Sequence, residues 1–179
     1  MNKEKLIELL NKLNNLLILN DSKIVMNIYG GSCLALAYNL RDTTMDIDAI
    51  YGNKQLVNKL VKQISRDEGI EYNWLNDSVK GFVSTSFKYS ESEFKFSNIE
   101  IRFPSMDGML AMKLISARLS DSKDKDDILK LIKKLNITTE EECFEILEMY
   151  YPIKLIPIKT TYVIKEIIEE INKNNLEWN

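Results

Sequence analysis

The sequence predicts an α+β chain: a small mixed sheet assembled early, with helices dominating from residue 105 onward. Three observations carry this. Short runs with strand periodicity cluster between residues 24 and 103, and leucine and isoleucine recur at helical spacing at the start and after 105. Only 6 Gly and 3 Pro in 179 residues leave little room for a disordered linker. The division falls at residue 104: 1–104 form an α/β core with an N-terminal helix, and 105–179 a helical part packed on it, unless the whole is one single domain.

Each element has a local reason. Leu6, Leu9, Leu10, Leu13, Leu16 and Leu17 share one face of a helix over residues 3–19, ended by Asn20-Asp21-Ser22. Residues 24–29 read as a buried strand that stops at Gly30-Gly31. A short helix over 32–40, a loop over 41–44 and a second strand over 45–51 follow. Leu56, Val57, Leu60, Val61 and Ile64 mark another helix, closed by Asp67-Glu68-Gly69. Residues 70–84 show no clear period. Segments 85–89 and 93–96 alternate around Ser90-Glu91-Ser92 as a hairpin, and 98–103 form a strand ending at Pro104. Helices then span 105–119, 124–135, 138–150 and 160–173, the last two separated by Pro152 and Pro157.

Composition narrows the chemistry. A net charge of −3 argues against a large basic surface, while leaving room for a local positive groove. The chain contains no histidine, so histidine bases, histidine metal ligands and Ser-His-Asp catalysis are excluded. Cys33 and Cys143 follow no disulfide or metal spacing and read as buried free thiols. Trp74 and Trp178 read as core or interface residues. No signal-like N-terminus and no uncharged run of membrane-spanning length is present, so a cytoplasmic protein without a membrane partner is expected.

The densest chemistry lies between residues 29 and 48. Gly30 and Gly31 allow a close backbone approach, Ser32 adds a hydroxyl, and amides at a helix start suit phosphate. Asp46 and Asp48, two apart on a strand and roughly 6.6 Å from each other, project to one side, with Met45, Ile47 and Ala49 toward the core. Such a pair is either a solvent-facing strand edge or a holder for Mg²⁺, which takes one or two carboxylates plus substrate phosphates. Glu100, flanked by Ile99 and Ile101, is either a third acid or the partner of Arg102 on the same face. In the apolar helix around residues 109–118, Lys113 either snorkels to the surface or meets an anion in a cleft. Asp124 and Asp127 extend the stripe of Ile128, Leu131 and Ile132. They either cap that helix, or one of them anchors Lys113 or Arg118 or assists proton transfer.

Tyr29-Gly30-Gly31-Ser32 followed by Thr44-Met45-Asp46-Ile47-Asp48 resembles the nucleotidyltransferase superfamily of the polymerase-β-type fold. The order Leu110-Ala111-Met112-Lys113, Ala117-Arg118, Asp124 and Asp127 is similar to bacterial members related to abortive-infection type toxins. Trp74-Leu75-Asn76-Asp77 with Gly81-Phe82-Val83 resembles an uncharacterised branch beside them. The resemblance implies transfer of a nucleotidyl group from a nucleoside triphosphate, dependent on Mg²⁺ or Mn²⁺. The acceptor would be a tRNA, another RNA, a protein or a small molecule, and an antitoxin would be a partner if the chain is a toxin. It implies metal and catalytic roles for Asp46 and Asp48 and a third-acid role for Glu100. Gly30, Gly31, Ser32 and Lys113 would bind the nucleotide, with Thr44, Arg118, Asp124 and Asp127 in support. A non-catalytic nucleotide-binding or docking module on the same fold is the alternative.

Overall fold

The computed structural model describes residues 1–117 and 122–176; Arg118 and Trp178 lie outside the described residues. The chain divides into two compact units, Met1–Gly81 with Tyr89–Pro104, and Phe82–Lys88 with the chain from Ser105 onward.

The first unit is α+β. Helix α1 (Lys3–Leu19) starts where the Asn2 side chain accepts from the Lys5 amide and buries Leu6, Leu9, Leu10, Leu13 and Leu17. Strand β1 (Ile24–Tyr29) runs directly into helix α2 (Gly30–Leu36). This helix is shorter than residues 32–40 would make it. Asn39 adopts a φ of 52°, and the Leu40 and Ala37 amides turn back to the carbonyls of Leu34 and Cys33.

Strand β2 (Ile47–Tyr51), helix α3 (Lys54–Glu68) and the short strand β3 (Leu75–Asn76) follow, α3 closing on Gly69 at φ 63°. Strands β4 (Tyr89–Glu91) and β5 (Ile99–Pro104) complete a five-stranded sheet in the order β3-β2-β1-β5-β4. β1 is antiparallel to β2 and parallel to β5, β2 is parallel to β3, and β4 antiparallel to β5, so the sheet is mixed.

Two expectations are corrected. The hairpin around Ser90-Glu91-Ser92 does not form: Tyr89–Glu91 pairs with Arg102–Pro104 instead. The chain turns one step later, where Ser92 accepts from the Phe94 amide and its own amide still bonds the Ile101 carbonyl. Met45 does not face the core either and is 82% exposed. Strand geometry begins only at Ile47, so the period-2 argument does not reach back to residue 45.

Register sorts the sheet residues by face. Met26, Ile28, Ala49, Ile99 and Ile101 share the face that buries apolar side chains. Val25, Asn27 and Tyr29 of β1 stand on the other face with Asp48 and Ile50 of β2 and Glu100 and Arg102 of β5.

The second unit is helical. Helix α4 (Met106–Ser116) buries Met109, Leu110, Ala111, Met112, Leu114 and Ile115, and its apolar circumference is met by α5 (Ser122–Leu135), α6 (Glu140–Tyr150) and α7 (Ile158–Leu176). Thr139 and Glu142 form a capping box at the start of α6. Phe87 meets Tyr150 and Tyr151 edge-on, at ring separations of 5.2 and 6.2 Å. Among the described residues no helix is long and apolar enough to cross a membrane.

Candidate functional site

The site grows from the junction of β1 and α2. Tyr29 lies directly opposite Asp48 in the β1–β2 ladder, and the next residue, Gly30, takes a φ of +60°. That conformation suits glycine, and space requires it too. A Cβ at Gly30 would stand 2.5 Å from Asp48 Oδ2. The Asp48 carboxylate is therefore packed against the glycine turn.

Gly31 is enclosed from the other side. A Cβ there would lie 2.9 Å from Thr44 Oγ1 and 3.0 Å from Arg41 Nη1. Thr44 is buried and donates through its hydroxyl to the Asp46 carbonyl at 3.2 Å. The loop carrying it is fixed by the Met1 ammonium, which donates to the Thr44 carbonyl, and by an Asn2–Thr43 bridge. Asp46 precedes β2 by one residue, and its Oδ2 accepts from Asn76 of β3 at 2.9 Å. Both aspartates are partly exposed.

Ser32 is fully buried, and its hydroxyl donates to the Tyr29 carbonyl at 2.9 Å. The hydroxyl thus holds the turn itself. Tyr29 is also fully buried, and its phenol shares a 2.7 Å hydrogen bond with Tyr89. Burial first, then that bond, pushes the Tyr29 phenol above its ordinary range, so a neutral ring stands beside Asp48.

Glu100 does not join this group. It pairs with Val25 in the β1–β5 ladder, whereas Asp48 pairs with Tyr29 four residues further along β1. The face is the same, but the displacement along the strand alone is about 13 Å. Glu100 is held instead by Arg102, at 2.6 Å. The expectation that Glu100 supplies a third acid to the Asp46–Asp48 pair is corrected by this register. Among the described residues no group of three acidic, cysteine or histidine side chains could hold a metal ion.

In the second unit, Lys113 is 9% exposed, with Asp124 at 3.1 Å and Asp127 at 2.8 Å. Asp127 is 1% exposed. The anion expected for Lys113 is thus supplied by the chain, and Asp124 and Asp127 serve as its anchors. Asp124 also sits in the first turn of α5, where a negative charge is favoured.

Two contributors went unread in the sequence. Arg41 places a guanidinium at Gly31, and its Nε donates to the Thr43 carbonyl at 2.8 Å. Its signal was a cation in the loop just ahead of the acidic strand. Asn76 positions Asp46, and its signal was a polar residue in a short apolar run.

A glycine turn is thus packed against one aspartate of an Asp-x-Asp pair at the edge of α2 and β2. Over residues 4–171 the chain matches a family described as a nucleotidyltransferase of unknown function, DUF6036. The chain belongs to that family and, with it, to the nucleotidyltransferase superfamily, whose fold its mixed sheet and flanking helices reproduce. No curated protein and no solved structure matches it.

Proposed function

We propose that the chain transfers a nucleotidyl group from a nucleoside triphosphate to an acceptor hydroxyl, with Asp46 and Asp48 as the residues that hold a divalent cation. The single observation behind this is the contact between Asp48 and Gly30. It sets an acidic group directly against the glycine turn at the start of α2. Mg²⁺ or Mn²⁺ fits this donor set of two carboxylates, whose hard oxygens such cations prefer. When bound, such a cation supplies charge stabilisation on the reacting phosphoryl oxygens.

The chain's own residues do the rest. Asn76 orients Asp46 through Oδ2, and Asp46 Oδ1 makes no hydrogen bond among the described residues. Oδ1 is therefore the atom assigned to ligand binding or to the proton of the attacking hydroxyl. Gly30 and Gly31 let Asp48, Thr44 and Arg41 pack against the turn, and Arg41 sets positive charge there. Positioning and electrostatics of this kind drive nucleotidyl transfer, so the absence of histidine is no obstacle. RNA, protein and small molecules are the acceptor classes, and a toxin held by an antitoxin is the biological setting that the resemblance suggests.

Asp46→Asn with Asp48→Asn tests the reading. Metal-dependent nucleotide binding by calorimetry and pyrophosphate release should both vanish while the circular dichroism spectrum is kept. Retention of either in the double variant overturns it. The displaced Glu100 favours a second reading, nucleotide binding without turnover. Saturable metal-dependent binding with no pyrophosphate released in the presence of tRNA would select it. Growth arrest on expression of the wild type, absent in the double variant, would support the toxin setting.

A further inference from the structure

Helix α3 turns one face inward, through Val57, Leu60, Val61 and Ile64. The opposite face is basic. Lys59, Lys62 and Arg66 lie within about 60° of arc and climb about 10 Å along the axis. All three are exposed, and none makes a hydrogen bond or ion pair among the described residues. No Asp or Glu occurs between Asp48 and Asp67, although the chain carries 27 acidic residues against 24 basic ones. Asp67 and Glu68 border a different concavity facing α1, where Glu68 is engaged by Lys5 and Lys12. Glu71 is the acid beside Tyr72 in the following turn.

The three cations line a concavity of about 660 Å³ together with Gln55, Asn58 and Tyr72. Tyr72 is 63% exposed, an aromatic ring offered to solvent at the end of a basic stripe. The Asn58 Oδ1 accepts from Tyr51 at 2.9 Å, leaving its amide donors outward, and Gln55 adds a second amide. Unpaired cations at phosphate-like spacing, a stacking platform and amides able to meet a sugar hydroxyl form one chemical set.

We infer that the outer face of α3 with Tyr72 is a docking surface for single-stranded RNA. Lys59, Lys62 and Arg66 track the phosphates, Tyr72 stacks on a base, and Gln55 and Asn58 meet 2′-hydroxyls. The inference is independent of nucleotidyl transfer, since it needs neither metal nor triphosphate. Charge complementarity selects a polyanion, and the aromatic ring selects nucleic acid over an acidic protein.

The test is fluorescence anisotropy with a labelled single-stranded RNA of about 16 nucleotides, without metal or nucleotide, across a salt series. With three phosphate contacts, raising salt from 50 to 200 mM should weaken binding roughly 20-fold. The Lys59→Ala/Lys62→Ala/Arg66→Ala variant should lose most of that salt dependence and bind at least tenfold more weakly. Tyr72→Ala should weaken binding while keeping the salt slope. Thermal melts of both variants, expected to match the wild type, exclude misfolding as the cause. The inference is overturned by wild type that fails to bind at low salt, or by a triple variant with an unchanged slope. Equal affinity for DNA of the same sequence also overturns it, as does a polyglutamate peptide that competes fully while Tyr72→Ala has no effect.

Discussion

Replacing Lys113 by methionine tests how the helical unit tolerates a buried cation and its two acids. The Lys113 side chain is 11% exposed, that of Asp127 2% and that of Asp124 21%. Methionine keeps the stem and its packing but removes the charge. Asp124, the more exposed acid, can turn toward water, whereas the enclosed Asp127 loses the Lys113 ammonium. Removing one partner of a buried pair costs about 3–5 kcal/mol, a large part of a total stability of roughly 5–15 kcal/mol. We expect a loss near the lower end, since Asp124 is 21% exposed and can be solvated when Lys113 goes. Lys113→Met with Asp127→Leu should recover most of it, because the enclosed Lys113–Asp127 pair is then replaced as a whole by apolar side chains. Urea denaturation followed by circular dichroism gives both values, and the double-mutant cycle gives the coupling. A single-variant loss below about 1 kcal/mol, or a double variant weaker than the single one, would refute this account.

Gly30→Ala should cost about 1–2 kcal/mol in backbone conformation alone. Because it also displaces the Asp48 carboxylate, metal-dependent nucleotide affinity measured by calorimetry should fall by tenfold or more. Gly52→Ala, with open space around it and an ordinary φ, should change neither quantity. Tyr150→Phe removes the hydroxyl that donates to Asp107 at 2.6 Å. Burial works to raise the Asp107 carboxyl, but hydrogen bonds from Ser105, Tyr150 and backbone amides outweigh it and hold it below its ordinary range. A lowered carboxyl stabilises the fold above the unfolded-state value and loses that contribution as pH falls through the folded one. Urea melts at neutral pH should therefore show Tyr150→Phe weaker than wild type by about 1–2 kcal/mol, with the gap closing in acid. Burial first, then Glu142 and Glu140, pushes the Cys143 thiol up to about 12, and burial alone raises Cys33. Both should resist a thiol reagent in the native protein and react in denaturant, as colorimetric titration would show.

Local patterns were read best where one face of an element meets the core. The leucine face of α1, the Val57–Ile64 face of α3 and the apolar circumference of α4 all follow from side-chain spacing and are buried as expected. The glycine turn and Asp-x-Asp pair were legible because they lie close in sequence. Glu100 was not, since alternation fixes its face but not its distance from Asp48; that distance is set by the offset between the β1–β5 and β1–β2 ladders. The false hairpin has a related origin. Residues 89–91 find their partner in β5, and a nearby alternating segment is no guide to that choice. Arg41 and Asn76 reach the site through loop closure and an edge strand of two residues, neither of which has a period to detect.

The closeness of Gly30 to Asp48 ties the two positions together in any relative that keeps this turn. A side chain at position 30 becomes tolerable only after the acid has been lost or moved, so the two should drift as a couple. Position 30 then offers a quick diagnostic. A family member carrying alanine or serine there has given up the acid's seat, and with it the chemistry proposed for this chain.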